Sequence, residues 1–206
     1  MAPSLSPDPD ARLDGEAAAT LIEVARRSIR SGLSGHGPVE PDLGTLPPAL
    51  VQPRGAFVTL HVEGELNGCI GTVEAKRPLA EVVAANAWAA AFGDPRLPAL
   101  RVEQLGGTEI EVSVLSALEP MAARDMRALL DSLRPGVDGL MIRDGHRSGV
   151  FLPQVWGQLP DPADFVARLQ AKAGMSVGSW PPGTVCHRFT VTHLSETWES
   201  LPSSTG

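Results

Sequence analysis

Between Thr108 and Leu115 the chain alternates without a break, with Ile110, Val112 and Val114 set against Glu109, Glu111 and Ser113. Successive side chains of a strand point to opposite faces, so this segment fits a strand with one face in a core and the other in water. Such a strand needs neighbours in a sheet and apolar cover over its inner face. The hairpin signals lie upstream. Gly55 to Val62 alternates in the same way, Glu63-Gly64 offers a two-residue turn, and Glu65 to Gly71 returns as the second arm.

The cover is expected from helices. Asp14 to Leu33 carries Ala18, Leu21, Ile22, Ala25 and Ile29 at helical spacing, with Gly32 and Gly35 near its end. Pro78 opens a second helix with Val82, Val83, Asn86, Ala89 and Ala90 on one face, and Gly93-Asp94-Pro95-Arg96 stops it. Its alanines let it lie close to a sheet. Further along, Arg124 to Leu133 reads as a short helix, and Gly139 to Arg143 and Gly149 to Leu152 as strands joined through Asp144-Gly145. Asp161 to Ala173 reads as a helix closed by Gly174, and Val185 to Leu194 as one last strand. Ser34 to Pro53 holds five prolines and reads as a long wrapping loop.

Helices separated by hairpins, rather than a regular βαβ alternation, predict an α+β fold with a largely antiparallel sheet and packed helices. The organisation expected is a leader over residues 1–13, a folded region over 14–197, and a flexible tail over 198–206. No run approaches the roughly 20 apolar residues of a membrane span. The first residues lack the cationic start and apolar core of a secretory signal, which predicts a cytoplasmic protein. Two cysteines, Cys69 and Cys186, are too few for a disulfide scaffold and are expected as free thiols. Seventeen Lys and Arg against 24 Asp and Glu give a net charge of −7. An acidic chain without a basic run is a poor nucleic-acid binder, because that affinity comes mainly from neutralising phosphates.

The densest local anomaly is Leu66-Asn67-Gly68-Cys69-Ile70-Gly71. Two glycines in a strand give up side-chain packing and mark a bulge or a close approach of another backbone. A thiol between glycines is sterically open, and a nearby cation or helix N-terminus would make it a nucleophile. The opposing reading is structural, since free cysteine is among the most buried residue types. A regular ladder from a two-residue turn would put Cys69 on the core face with Val58, Leu60 and Val62, and His61 on the other. Asp94 and Arg96 fit a cleft edge, or else a cap and an ion pair. Gln154, in Leu152-Pro153-Gln154-Val155-Trp156, is the one residue there suited to reading a polar ligand. His36, His61, His146, His187 and His193 are scattered, so no metal is expected. No Walker loop, dinucleotide fingerprint or Gly-x-Ser-x-Gly elbow occurs, so no cofactor is expected.

Taken in order, Gly55-Ala56-Phe57-Val58-Thr59-Leu60, Leu66-Asn67-Gly68-Cys69-Ile70-Gly71, Asp94-Pro95-Arg96, Glu111-Val112-Ser113-Val114-Leu115, Leu152-Pro153-Gln154-Val155 and Lys172-Ala173-Gly174 resemble the AMMECR family. The resemblance runs approximately from residue 15 to residue 197. It implies a larger and a smaller lobe around an antiparallel sheet, with the Gly-Cys-Ile-Gly segment near a groove between them. Prokaryotic members are similar to protein A of the AmmeMemoRadiSam system, which implies Memo-type and radical SAM proteins as partners but supplies no reaction. Two departures stand out. Asn67 occupies a position where the family usually has arginine, which removes a cation from beside Cys69, and Gln170 occupies one where the family often has cysteine.

The resulting expectation is an enzyme or enzyme component binding a small molecule in the interlobe groove. Cys69 would be its catalytic residue, with Asn67, Gly68, Gly71, Asp94, Arg96 and Gln154 as ligand contacts. The rival is a non-catalytic module that binds a partner protein.

Overall fold

The structure is a computed structural model and describes residues 13–198. It is an α+β fold in two compact units. One unit runs to Leu115 and resumes at Thr192, and the other is Ser116–Val191. Most of the expected leader and tail lie outside the described residues.

The first unit is built from α1 (Gly15–Leu33), α2 (Pro48–Val51), β1 (Ala56–Val62), β2 (Glu65–Thr72), α3 (Leu79–Phe92), β3 (Thr108–Leu115) and the last strand of the described residues, Val191–Thr197. Asp14 starts α1 by accepting a hydrogen bond from Ala17 N–H, which satisfies one of the orphan amides of the first turn. The sheet order is β2, β1, β3, last strand, with β1 antiparallel to both of its neighbours. Val58, Leu60, Ile110, Val112 and Val114 form the inner face. The apolar stripes of α1 and α3 pack on it, including Leu21, Ile29, Val83 and Ala90. Polar clips fix the helices in place. Asn86 donates to the Ala56 carbonyl and accepts from Thr72 Oγ1, and Ser28 Oγ donates to the Ala84 carbonyl at 2.6 Å.

Within this unit two details differ from the sequence expectation. The long loop contains a 3-10 turn at Leu43–Thr45 as well as α2, whose Pro48 sits where a helix start tolerates proline. Trp198, assigned to the tail by sequence, is 6% exposed and joins the first core, with the Arg30 guanidinium 5.0 Å from its ring centre.

The second unit holds β4 (Glu119–Pro120), α4 (Met126–Ser132), β5 (Gly139–Asp144), β6 (Arg147–Phe151), α5 (Pro162–Lys172) and β7 (Val185–Phe189), in the sheet order β4, β7, β5, β6. Val191–Thr197 is therefore β8. Sequence alternation read β7 and β8 as one strand, but they belong to different sheets. At the break, Thr190 N–H donates to Ser116 Oγ and the Thr190 carbonyl accepts from Ser116 N–H. The β5–β6 turn is Gly145-His146, one residue beyond the expected pair, with Gly145 at φ 59°. Asp125 caps α4 and sets its start later than the apolar pattern suggests. The core gathers Leu129, Leu140, Ile142, Phe165, Leu169 and Cys186. Trp156 stacks on Phe165 at 3.8 Å and donates its indole N–H to the Asp138 carbonyl. Among the described residues no helix is long and apolar enough to cross a membrane.

Candidate functional site

The hairpin of β1 and β2 is not a regular ladder. Val62 pairs with Glu65 and His61 with Leu66, but Leu60 pairs with Gly68, so Asn67 is an extra residue in a β-bulge. Beyond the bulge Thr59 lies opposite Cys69 and Phe57 opposite Gly71. One extra residue exchanges the two faces of a strand. Val58 and Leu60 are fully buried, so Thr59 and its partner Cys69 stand on the other face. Cys69 is thus turned away from the core, correcting the placement expected from a regular ladder. Its thiol is half-buried and accepts a hydrogen bond from Thr59 Oγ1 at 3.3 Å. Thr59 was not singled out by the sequence reading, since only the register reveals the contact.

β2 is an edge strand, so the outward backbone groups of Cys69 have no sheet partner. Asp94 and Arg96 take that place. Cys69 N–H donates to Asp94 Oδ2 at 3.1 Å, and Arg96 Nη2 donates to the Cys69 carbonyl at 3.2 Å. The acid accepts and the base donates, as a neighbouring strand would. Arg96 also holds Asp94 directly, through Nε to Oδ1 at 2.9 Å and Nη2 to Oδ2 at 2.7 Å. The Asp94 side chain is 2% exposed and that of Arg96 is 63% exposed. The Arg96 guanidinium, then the Cys69 amide, hold the Asp94 carboxyl well below the usual carboxylate range. Asp94 in turn raises the guanidinium's proton affinity, and an ionised Cys69 adds to that.

The glycines have steric reasons of their own. A methyl carbon at Gly68 would lie 2.8 Å from the Ala90 carbonyl carbon and closer still to its oxygen, so α3 rests against the bare backbone of β2. At Gly71 the same space is filled by the Phe57 ring. Asn67 is 6% exposed, and among the described residues its Nδ2 finds no hydrogen-bond partner. Gln154 belongs to the second unit, exposed on the 3-10 turn Pro153–Gly157. Gln170, also in the second unit, is fully buried; its Nε2 donates to the Ser179 carbonyl and its Oε1 accepts from Gly178 N–H. Two hollows of the first unit, one lined by Val39, Leu43 and Arg77 and one by Thr72, Lys76 and Val82, include none of the residues around the thiol.

The chain has relatives among known proteins. The family model described as AMMECR1 matches residues 22–194. A protein of Methanothermobacter thermautotrophicus is 38% identical over 175 residues, covering 82% of this chain and 89% of its own length. One of Thermofilum pendens is 36% identical over 202 residues, covering 90% and 92%. The crystal structure of an uncharacterised protein from Pyrococcus horikoshii superposes with a TM-score of 0.77 at 32% identity, covering 89% of this chain and 93% of that one.

Proposed function

The chain belongs to the AMMECR1 family, and from that premise we propose that it binds a small molecule at the Cys69 thiol, on the outer face of the first sheet, as an enzyme or enzyme component. The observation that carries this reading is the way one residue is held. Thr59 orients the sulfur while Asp94 and Arg96 fix the backbone on either side of it. A half-buried thiol on a sheet face, rather than in the core, is open to a ligand. The exposed part of the Arg96 guanidinium supplies a cation beside it, which suits a ligand with an anionic or strongly polar group. Asp94 serves by holding Arg96 and the strand edge, its carboxylate oxygens being already engaged.

The test is ligand protection. In a Cys186→Ala chain, the small-molecule fraction of a cell lysate slows alkylation of native Cys69 and leaves the denatured chain unaffected. Equal rates with and without that fraction contradict the reading. Memo-type and radical SAM proteins are the proposed companions, and they are checked by co-purification with the tagged chain. A second reading, a non-catalytic module for a partner protein, is favoured by the architectural contacts of Gly68, Gly71, Asp94 and Arg96, which explain those motifs without any ligand. A stoichiometric partner retained by Cys69→Ala supports it.

A further inference from the structure

The outer face of the first sheet carries a second group of chemistry-bearing side chains. In the β1–β3 ladder Thr59 lies opposite Glu111 and Phe57 opposite Ser113, so these residues share the face of Cys69. His193 of β8 meets them there. Its Nδ1 is 3.1 Å from Ser113 Oγ and 3.3 Å from Glu111 Oε1, and Ser113 Oγ donates to the same Glu111 oxygen at 3.1 Å. The hydroxyl proton is thereby committed to the carboxylate. Nδ1 consequently carries a hydrogen when the ring is neutral, directed at Glu111, and Nε2 is left with its lone pair. No described residue bonds Nε2, and the His193 side chain is 43% exposed. Ser113 is 2% exposed and its Oγ lies 3.1 Å from Nδ1, so the imidazole edge meets a buried partner.

We propose that Glu111, Ser113 and His193 form an acid–base group on the face that bears Cys69. Nε2 takes a proton from a hydroxyl, thiol or amine of a ligand lying across the strands, and Glu111 stabilises the imidazolium that results. The electron pair of the ligand's X–H bond stays on X, and return of the proton restores the neutral ring. Cross-strand neighbours sit about 5 Å apart, so the row Cys69, Thr59, Glu111 spans about 10 Å. A ligand of roughly that length or more would meet the thiol at one end and the imidazole at the other. This ligand geometry rests on the Cys69 reading, whereas the acid–base group does not. Among the described residues no three His, Cys, Asp or Glu side chains gather as a metal site, so the free nitrogen is assigned to proton transfer.

The probe is diethyl pyrocarbonate, which acylates a neutral imidazole nitrogen and releases ethyl carbonate. At about pH 7.5, above the ordinary histidine range near 6.5, acylation is followed residue by residue by mass spectrometry on the full chain, with Cys69 alkylation read in parallel. His193 is expected to react at least about threefold faster than the exposed His36 and His146, and Glu111→Gln is expected to bring it down to their rate while Cys69 alkylation is unchanged. Equal rates for the three histidines in the native chain overturn the proposal and need no variant. A His193 rate unmoved by Glu111→Gln overturns it too. Fast His193 with an inert Cys69 would sink the thiol reading and leave this one standing.

Discussion

Replacing Gly68 by alanine tests whether this glycine is there for packing. The added methyl would sit 2.8 Å from the carbonyl carbon of Ala90, where ordinary contact begins near 3.4 Å, and the obstacle is the backbone of a helix buried against the sheet. Relief requires α3 to move off β2 and to loosen Val83, Ala87 and Ala90 in the core. Overpacking of this kind costs about 1–3 kcal/mol, and a rigid backbone obstacle places it at the upper end. Alanine recovers about 0.5–1 kcal/mol by restricting the unfolded chain. The net loss is about 2 kcal/mol, or a fall of about 4–8 °C in Tm for a chain of this size. Gly71→Ala is the control, because its obstacle is the half-buried Phe57 ring, which can turn aside. A turned ring costs about 0.5–1.5 kcal/mol and the same entropy gain offsets most of it. Thermal unfolding followed by circular dichroism compares the two. Equal losses, or a neutral Gly68→Ala, refute the reasoning.

Asp94 is a depressed carboxylate, so its contribution is present above the unfolded value near 3.9 and is lost as pH falls below it. Asp94→Asn is expected to lower the urea midpoint at pH 7 and to flatten its decline between about pH 4 and pH 2; an unchanged acid limb contradicts this. Burial pushes the Cys186 thiol up, so in a Cys69→Ala chain it should resist alkylation until the protein unfolds, and a rate near that of the denatured chain would refute its core position. Gln170→Ala leaves the Ser179 carbonyl and Gly178 N–H without their partner, at a cost of about 2 kcal/mol. The expected readout is a lower urea midpoint with faster proteolysis near Gly178, and an unchanged midpoint counts against that role.

Much of this architecture was legible in the residues. The alternation of Thr108–Leu115 and the capped stripe of Gly15–Leu33 specify elements from local chemistry alone, and the structure forms both. Antiparallel pairing with packed helices follows from the succession of hairpins and helices, whereas the division into two separate sheets does not. The face of Cys69 was not legible, because parity counting assumes an unbroken ladder and the bulge at Asn67 breaks it. Val185–Leu194 hid its break for a related reason. Alternation continues through Thr190, and only the hydrogen bonds to Ser116 show the strand changing sheets. Trp198 looked like tail because its partners Arg26 and Arg30 lie at the opposite end of the chain. His193 and Glu111 are 82 residues apart, a separation that no motif spacing captures.

The most direct test of the account is the alkylation rate of Cys69 in a folded Cys186→Ala chain, followed between about pH 5 and pH 10 against the denatured chain, whose thiol titrates near ~8.5. A thiol on the outer face reacts in the native protein within about tenfold of the denatured rate and responds to Thr59→Val, which removes its hydrogen-bond donor. Protection by about a thousandfold or more, lifted only by unfolding, would return Cys69 to the core and contradict both the register and the site built on it.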